Sequence, residues 1–203
     1  MEFFAGEEIP LTLPYDVPAN QFMNLESQKI SGSRNWAVWC LDALTRYDPD
    51  ALRYYLTVNM PENKDSDWDW TEFVARNNNE LVAILGNFVN RALVLTQKYF
   101  DNKVPTRGPL EAIDLAAIES LKVLPSRIAQ SLEQYRFREA TAGLMDLARL
   151  GNKYLAETEP WKVHKSNPER VGTILNVALQ IVANLGIVAE PFLPFSAARI
   201  NVM

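Results

Sequence analysis

The chain has 203 residues, enough for one or two domains with a substantial core. Apolar residues make up 48% and charged residues 22%, an ordinary globular balance, and the net charge of −5 counts against a generic nucleic-acid binder but not against reading one RNA through a local patch. One cysteine, Cys40, excludes an internal disulfide or cysteine zinc cluster; with no apolar run near the ~20 residues of a membrane span and no leader-like opening, a cytoplasmic protein without a membrane partner is expected.

The first 30 or so residues carry Pro10, Pro14 and Pro18 and read as extended segments and loops. A helix is expected from about Asn35 to Tyr47, with Cys40 a buried thiol in its apolar pattern. Asp48-Pro49-Asp50 reads as the start of a second helix, with Pro49 in its first turn, running to about Val58 and broken by Asn59-Met60-Pro61-Glu62-Asn63. Asp65, Asp67 and Asp69 alternate as in the opening of a calcium loop. Trp70 and Arg76 then stand where such a loop needs glycine and glutamate, so the segment reads as a strand or turn and no metal site is expected.

From about Thr71 to Phe100 the pattern is helical, with Leu81, Ile84, Leu85, Phe88, Ala92, Leu95 and Tyr99 on one stripe. After a loop around Pro105-Gly108-Pro109, helices are expected at about 111–135, kinked or interrupted by Pro125, and at about 136–157. A final long helix, about Pro168 to Ala189, is apolar around much of its circumference and is expected at the centre of a bundle; Pro191 and Pro194 end it, and Phe195–Met203 starts another helix. The expected fold is therefore mainly α: an antiparallel helix bundle preceded by a small α/β connecting segment, divided at residues 1–70 and 71–203.

Three groups of residues suggest chemistry. Gln28-Lys29-Ile30-Ser31-Gly32-Ser33-Arg34 combines two hydroxyls, two cations and a glycine that admits a close ligand, a set suited to a triphosphate; from the residues alone a solvated turn is the commoner meaning. Asn87 and Arg91, with Glu80 and Lys98, fall on the flank of the apolar stripe. They form either a solvated edge or an amide and a guanidinium aimed at base edges. Trp161, after Pro160 in a loop between helices, either caps a core edge or offers a stacking platform for an unpaired base. His164 is the only histidine and is expected at the surface of a charged loop.

Together these motifs resemble one family. Lys29 to Ser33 resembles the KMSKS signature loop of class I aminoacyl-tRNA synthetases, and the flanking Val17-Pro18-Ala19-Asn20-Gln21-Phe22 and Asn35-Trp36-Ala37-Val38-Trp39 resemble methionyl-tRNA synthetases, as do Asn87-Phe88-Val89-Asn90-Arg91 and Pro160-Trp161. The resemblance runs from about Leu13 to about Ala198. It implies a methionine–tRNA ligase whose Lys29, Ser31, Gly32 and Ser33 serve the ATP site and whose Asn87, Arg91 and Trp161 read the anticodon of the methionine tRNA. Gly32 stands where the family's signature has a second lysine. The chain also lacks the H-x-G-H signature, so the resemblance implies a C-terminal part of the enzyme, inactive alone and without a cofactor of its own. Residues 1–70 would end the catalytic domain and contact the tRNA stem; residues 71–203 would be the anticodon-binding domain. ATP, methionine and the remaining catalytic domain would be partners in the full enzyme. A valine, leucine or isoleucine synthetase, or a helical protein-interaction module, is the alternative.

Overall fold

The computed structural model describes residues 14–203; Pro10 and Leu13 lie outside them. Strands β1 (Met23–Leu25), β2 (Gln28–Lys29) and β3 (Ser66–Trp68) form one small sheet in the order β2-β1-β3. Glu26 and Ser27 turn the β1–β2 hairpin with φ of 49° and 60°, the backbone that suits the twist of a two-residue turn. The Asp67 carboxylate ties that turn down by accepting from the Ser27 amide at 2.8 Å. Strand β3 runs parallel to β1, so the alternating acidic segment is a strand, and Asp69 closes it by capping the next helix through the Glu72 amide at 2.8 Å.

The helix expected over 35–47 is far shorter: α1 spans Cys40–Leu44. Asn35 takes a left-handed φ of 53°, and Trp36 pairs with Ser31 through two backbone hydrogen bonds of 2.8 and 2.9 Å, so the chain up to Trp39 is a folded-back turn. Ala43 is the only buried residue of α1, and Cys40 is exposed rather than buried. Helix α2 (Pro49–Val58) starts where the sequence indicates, with the Asp48 side chain accepting from the Asp50 amide. It serves two cores. Tyr55 joins a small aromatic one with Leu25, Trp68 and Phe73, while Tyr54 joins the large core of the bundle.

The segment read as one α-helix over 71–100 is continuous but not uniform. Helices α3 (Trp70–Arg76) and α4 (Asn87–Phe100) are joined by a ten-residue π-helical stretch, Asn77–Gly86. Three successive asparagines, weak helix formers, open it. Gly86 permits its close: a Cβ there would stand 3.1 Å from the Leu81 carbonyl oxygen. Helix α5 (Ala112–Glu133) runs on through Pro125, so of the expected kink or interruption the proline does not make the interruption. Helix α6 (Phe137–Thr158) ends at Glu159 with a left-handed φ of 41°, and the loop expected at 157–168 contains a helical turn, α7 (Pro160–Val163).

Helix α8 (Pro168–Ala189) is the centre of the bundle, touching α4, α5, α6, α7 and α9 (Pro194–Asn201). It is the one described helix long and apolar enough to cross a membrane, which the sequence reading had not anticipated, and 67% of that apolar stretch is buried in the protein. A core helix enclosed by neighbours needs the same composition as a span.

Candidate nucleic-acid interface

The site begins with a close helix contact. Phe88 is fully buried against Gly151 of α6, where a Cβ would come within 2.3 Å of the ring. Only glycine lets the ring lie on the α6 backbone, and the contact brings the next residues on each helix together. The Asn87 side-chain amide donates to Asn152 Oδ1 at 3.2 Å, and Asn152 Nδ2 donates in turn to the backbone carbonyls of Ile84 (2.8 Å) and Ala148 (3.2 Å).

One turn along α4, the Arg91 guanidinium lies over the Trp161 ring, 5.2 Å from its centroid, in cation–π geometry. Two residues far apart in sequence are thus in direct contact, with Asn87 on the adjacent turn. Trp161 remains 39% exposed and Arg91 is half-buried. The other expected flank residues point elsewhere. Glu80 accepts from Tyr54 and Arg76, and the Lys98 ammonium sits 5.3 Å from the Tyr99 ring centroid.

The corner that carries Trp161 is braced on both sides. Behind it, the fully buried Asp114 of α5 accepts from the Tyr154 hydroxyl and from two nitrogens of Arg170 at the start of α8, and Arg170 Nε also pairs with Glu111 at 3.0 Å. Burial opposes ionisation of Asp114, but the Arg170 guanidinium and the Tyr154 hydroxyl outweigh it and hold the carboxyl below its ordinary value. Burial and that same carboxylate push the Tyr154 hydroxyl far above its ordinary value. In front, His164 stacks on Tyr99 with ring centroids 4.0 Å apart and planes 22° from parallel. His164 is therefore half-buried on α4 rather than loose in a charged loop. The sequence reading missed Asn152, Asp114, Tyr154 and Arg170, and placed Tyr99 on the apolar stripe without a part in the site. For Asn152 the available signal was a Gly-Asn pair, two poor helix formers, in the middle of a long amphipathic helix.

The signature-like loop is built differently. Lys29, Gly32, Ser33 and Arg34 are exposed, and Ser31 is half-buried. The Ser31 and Ser33 hydroxyls lie 3.2 Å apart, Arg34 donates to the Lys29 carbonyl at 3.3 Å, and the Lys29 ammonium is 5.9 Å from the Phe22 ring centroid. Trp36 anchors the base of the loop through its indole N–H to the Leu25 carbonyl at 3.1 Å. A Cβ at Gly32 would meet nothing closer than the Trp39 ring at 3.9 Å, so the glycine is not required by the backbone or by packing. Among the described residues no cluster of histidine, cysteine and carboxylate is placed to hold a metal.

Residues 3–93 match the family of tRNA synthetases class I (M), which defines the class. Residues 104–203 match the anticodon binding domain of methionyl tRNA ligase. The methionine–tRNA ligase of Cytophaga hutchinsonii is 63% identical over 193 residues, which cover 94% of this chain and 28% of that protein. That of Bacteroides fragilis strain YCH46 is 55% identical over 193 residues, with the same coverage of 94% and 28%. Among solved structures, Mycobacterium tuberculosis methionyl-tRNA synthetase in complex with methionyl-adenylate superimposes with a TM-score of 0.83 at 26% identity, covering 90% of this chain and 36% of that one. The chain belongs to the methionyl-tRNA synthetase family. It spans a little over a quarter of the length of these curated relatives, 28% in both cases.

Proposed function

We propose that this chain is the anticodon-reading and signature-loop part of a methionine–tRNA ligase, an enzyme that uses ATP to join methionine to its tRNA. The observation that carries the reading is the Arg91–Trp161 contact at 5.2 Å, with Asn87 one turn away. The exposed indole offers a face for an unpaired loop base, and the amide and guanidinium beside it offer hydrogen bonds to base edges. The Asp114 brace and the Tyr99–His164 stack hold the corner that presents the indole, so little ordering remains to be done on binding.

In this reading Lys29, Ser31, Gly32 and Ser33 belong to the KMSKS-like loop and serve ATP, a substrate of the full enzyme. Their hydroxyls and cations fit phosphate oxygens, but Arg34 and Lys29 face the loop backbone and a ring here, so meeting a triphosphate requires both side chains to swing. Residues 1–70 form the end of the catalytic domain with the stem-contact segment, and residues 71–203 the anticodon-binding domain. The exposed apolar side chains of Leu41, Leu44, Leu56 and Phe195 are assigned to contact with the remainder of the catalytic part.

The test is binding of an RNA stem-loop with a CAU loop. Replacing Trp161 with Ala should weaken it by ~1–3 kcal/mol. Replacing Arg91 with Ala should cost a similar ~1–3 kcal/mol and reduce discrimination against altered loops. Unchanged affinity and unchanged preference in both variants would refute the assignment and leave a helical protein-interaction module as the better account.

A further inference from the structure

We propose that Asn152 fixes which way round the Asn87 amide faces, and thereby favours at Asn87 a base whose edge sets an exocyclic amine beside a ring-nitrogen acceptor. The inference rests on the reading of Asn87 and Arg91 as an anticodon site and adds a residue and a chemical rule to it.

The argument is one of elimination. A backbone carbonyl can only accept, so the two contacts from Asn152 to the Ile84 and Ala148 carbonyls must both be made by its NH2 group. They use both of its N–H bonds. Its Oδ1 is then the atom left facing Asn87, 3.2 Å away, and an acceptor there demands a donor. Asn87 must therefore turn its own NH2 group inward, which places its Oδ1 on the outer side of an exposed residue.

Four residues on, on the same face of α4, stands Arg91, which only donates. A base edge that suits both offers an amine to Asn87 and a ring nitrogen acceptor to Arg91. Cytosine (N4 amine, N3) and adenine (N6 amine, N1) have that edge. In that pose, with the ring nitrogen at Arg91, uracil and guanine reverse it: their exocyclic oxygen faces the Asn87 oxygen and their ring N–H faces a guanidinium that cannot accept, so either base must shift along its edge or turn over to bind. Without Asn152 an amide is free to flip and present its NH2 group to a keto base. The neighbouring helix α6, not the contact residue itself, sets the sign of the discrimination.

The experiment uses the whole 203-residue chain and fluorescence anisotropy with three RNA stem-loops, carrying CAU, UAU and CGU. The last two each exchange a base with that amine-and-acceptor edge for one whose edge carries a keto oxygen and a ring N–H instead. Wild type should bind CAU at least about tenfold more tightly than one of them, the one altered at the base facing Asn87. Asn152→Ala should bring that ratio to within about threefold, with the far-UV circular dichroism unchanged. Asn87→Asp, which keeps an outward acceptor and cannot present an N–H, should retain the preference for the amino base even as its charge weakens binding of all three RNAs. An unchanged ratio in Asn152→Ala, or a lost or inverted ratio in Asn87→Asp, overturns the proposal, as does a wild type indifferent to both base changes. Should Asn152→Ala fail to fold, Asn87→Asp decides alone, because residue 87 is exposed. Trp161→Ala run alongside separates the two levels: if it leaves CAU affinity intact the anticodon reading itself falls, whereas weakened binding there with an unmoved ratio in Asn152→Ala sinks only the role of Asn152.

Discussion

The two candidate sites stand on opposite kinds of scaffold. The Arg91–Trp161 surface lies over the large core, where Phe88, Tyr154 and most of α8 are sealed from water, and its corner is pinned by a buried ion pair and a ring stack. The signature-like loop rests on a sheet of two- and three-residue strands and a small aromatic core, and four of the residues from Lys29 to Arg34 that carry its chemistry are exposed. A surface that reads bases needs its groups held in place beforehand, because each misplaced donor costs selectivity. A loop that closes on a phosphate needs freedom to move, and a thin, exposed segment supplies it.

The largest test of this contrast is the brace. Asp114→Asn leaves Arg170 buried with only Glu111 to face, and the chain should lose about 3 kcal/mol of stability in urea denaturation. The pH dependence follows from the same group. Its carboxyl is depressed in the folded state, so its stabilising contribution is complete above the ordinary carboxylate pKa of about 4 and is lost as pH falls through the lower folded value. Wild type should therefore lose stability on acidification through that window more steeply than Asp114→Asn. Parallel curves would mean that the brace contributes little.

Next in size is the helix contact. Gly151→Ala places a methyl inside the space of the Phe88 ring, and the strain should cost about 1–3 kcal/mol in the same denaturation assay. Because the displaced ring lies beside Asn87 and Asn152, binding of the CAU stem-loop should weaken as well. Full RNA affinity in a destabilised Gly151→Ala would separate the site from the core beneath it.

The signature-like loop should respond least. Gly32→Lys, which restores the second cation of the resembling motif, meets open space and should change thermal stability by no more than about 0.5 kcal/mol. Amide hydrogen exchange sharpens the comparison without a mutation. Amides at 30–35 should exchange much faster than those of α4 at 88–96; equal protection would erase the distinction between a held surface and a mobile loop.

Local rules in the sequence determined a good deal. Asp48-Pro49 and Asn167-Pro168 mark the starts of α2 and α8 because a capping side chain and a fixed proline φ act within one turn. The apolar stripe placed Phe88 and Ala92 in the core, and both are fully buried. The order of the motifs pointed to the family that the comparisons then identified. What failed was whatever depends on partners distant in sequence. Helix α1 is short because Trp36 pairs with Ser31 and donates to Leu25, and Cys40 is exposed because α1 has little to pack on. Wheel arithmetic with 3.6 residues per turn put Glu80 beside Asn87, but the π-helical turns between them have a different period, and Glu80 turns to Tyr54 instead. The meeting of Arg91 with Trp161, and the direction in which Asn87 shows its oxygen, were decided only by the packing of α4 on α6 and α7. Residue type states which hydrogen bonds a side chain can make; its neighbours in space decide which of them are already used.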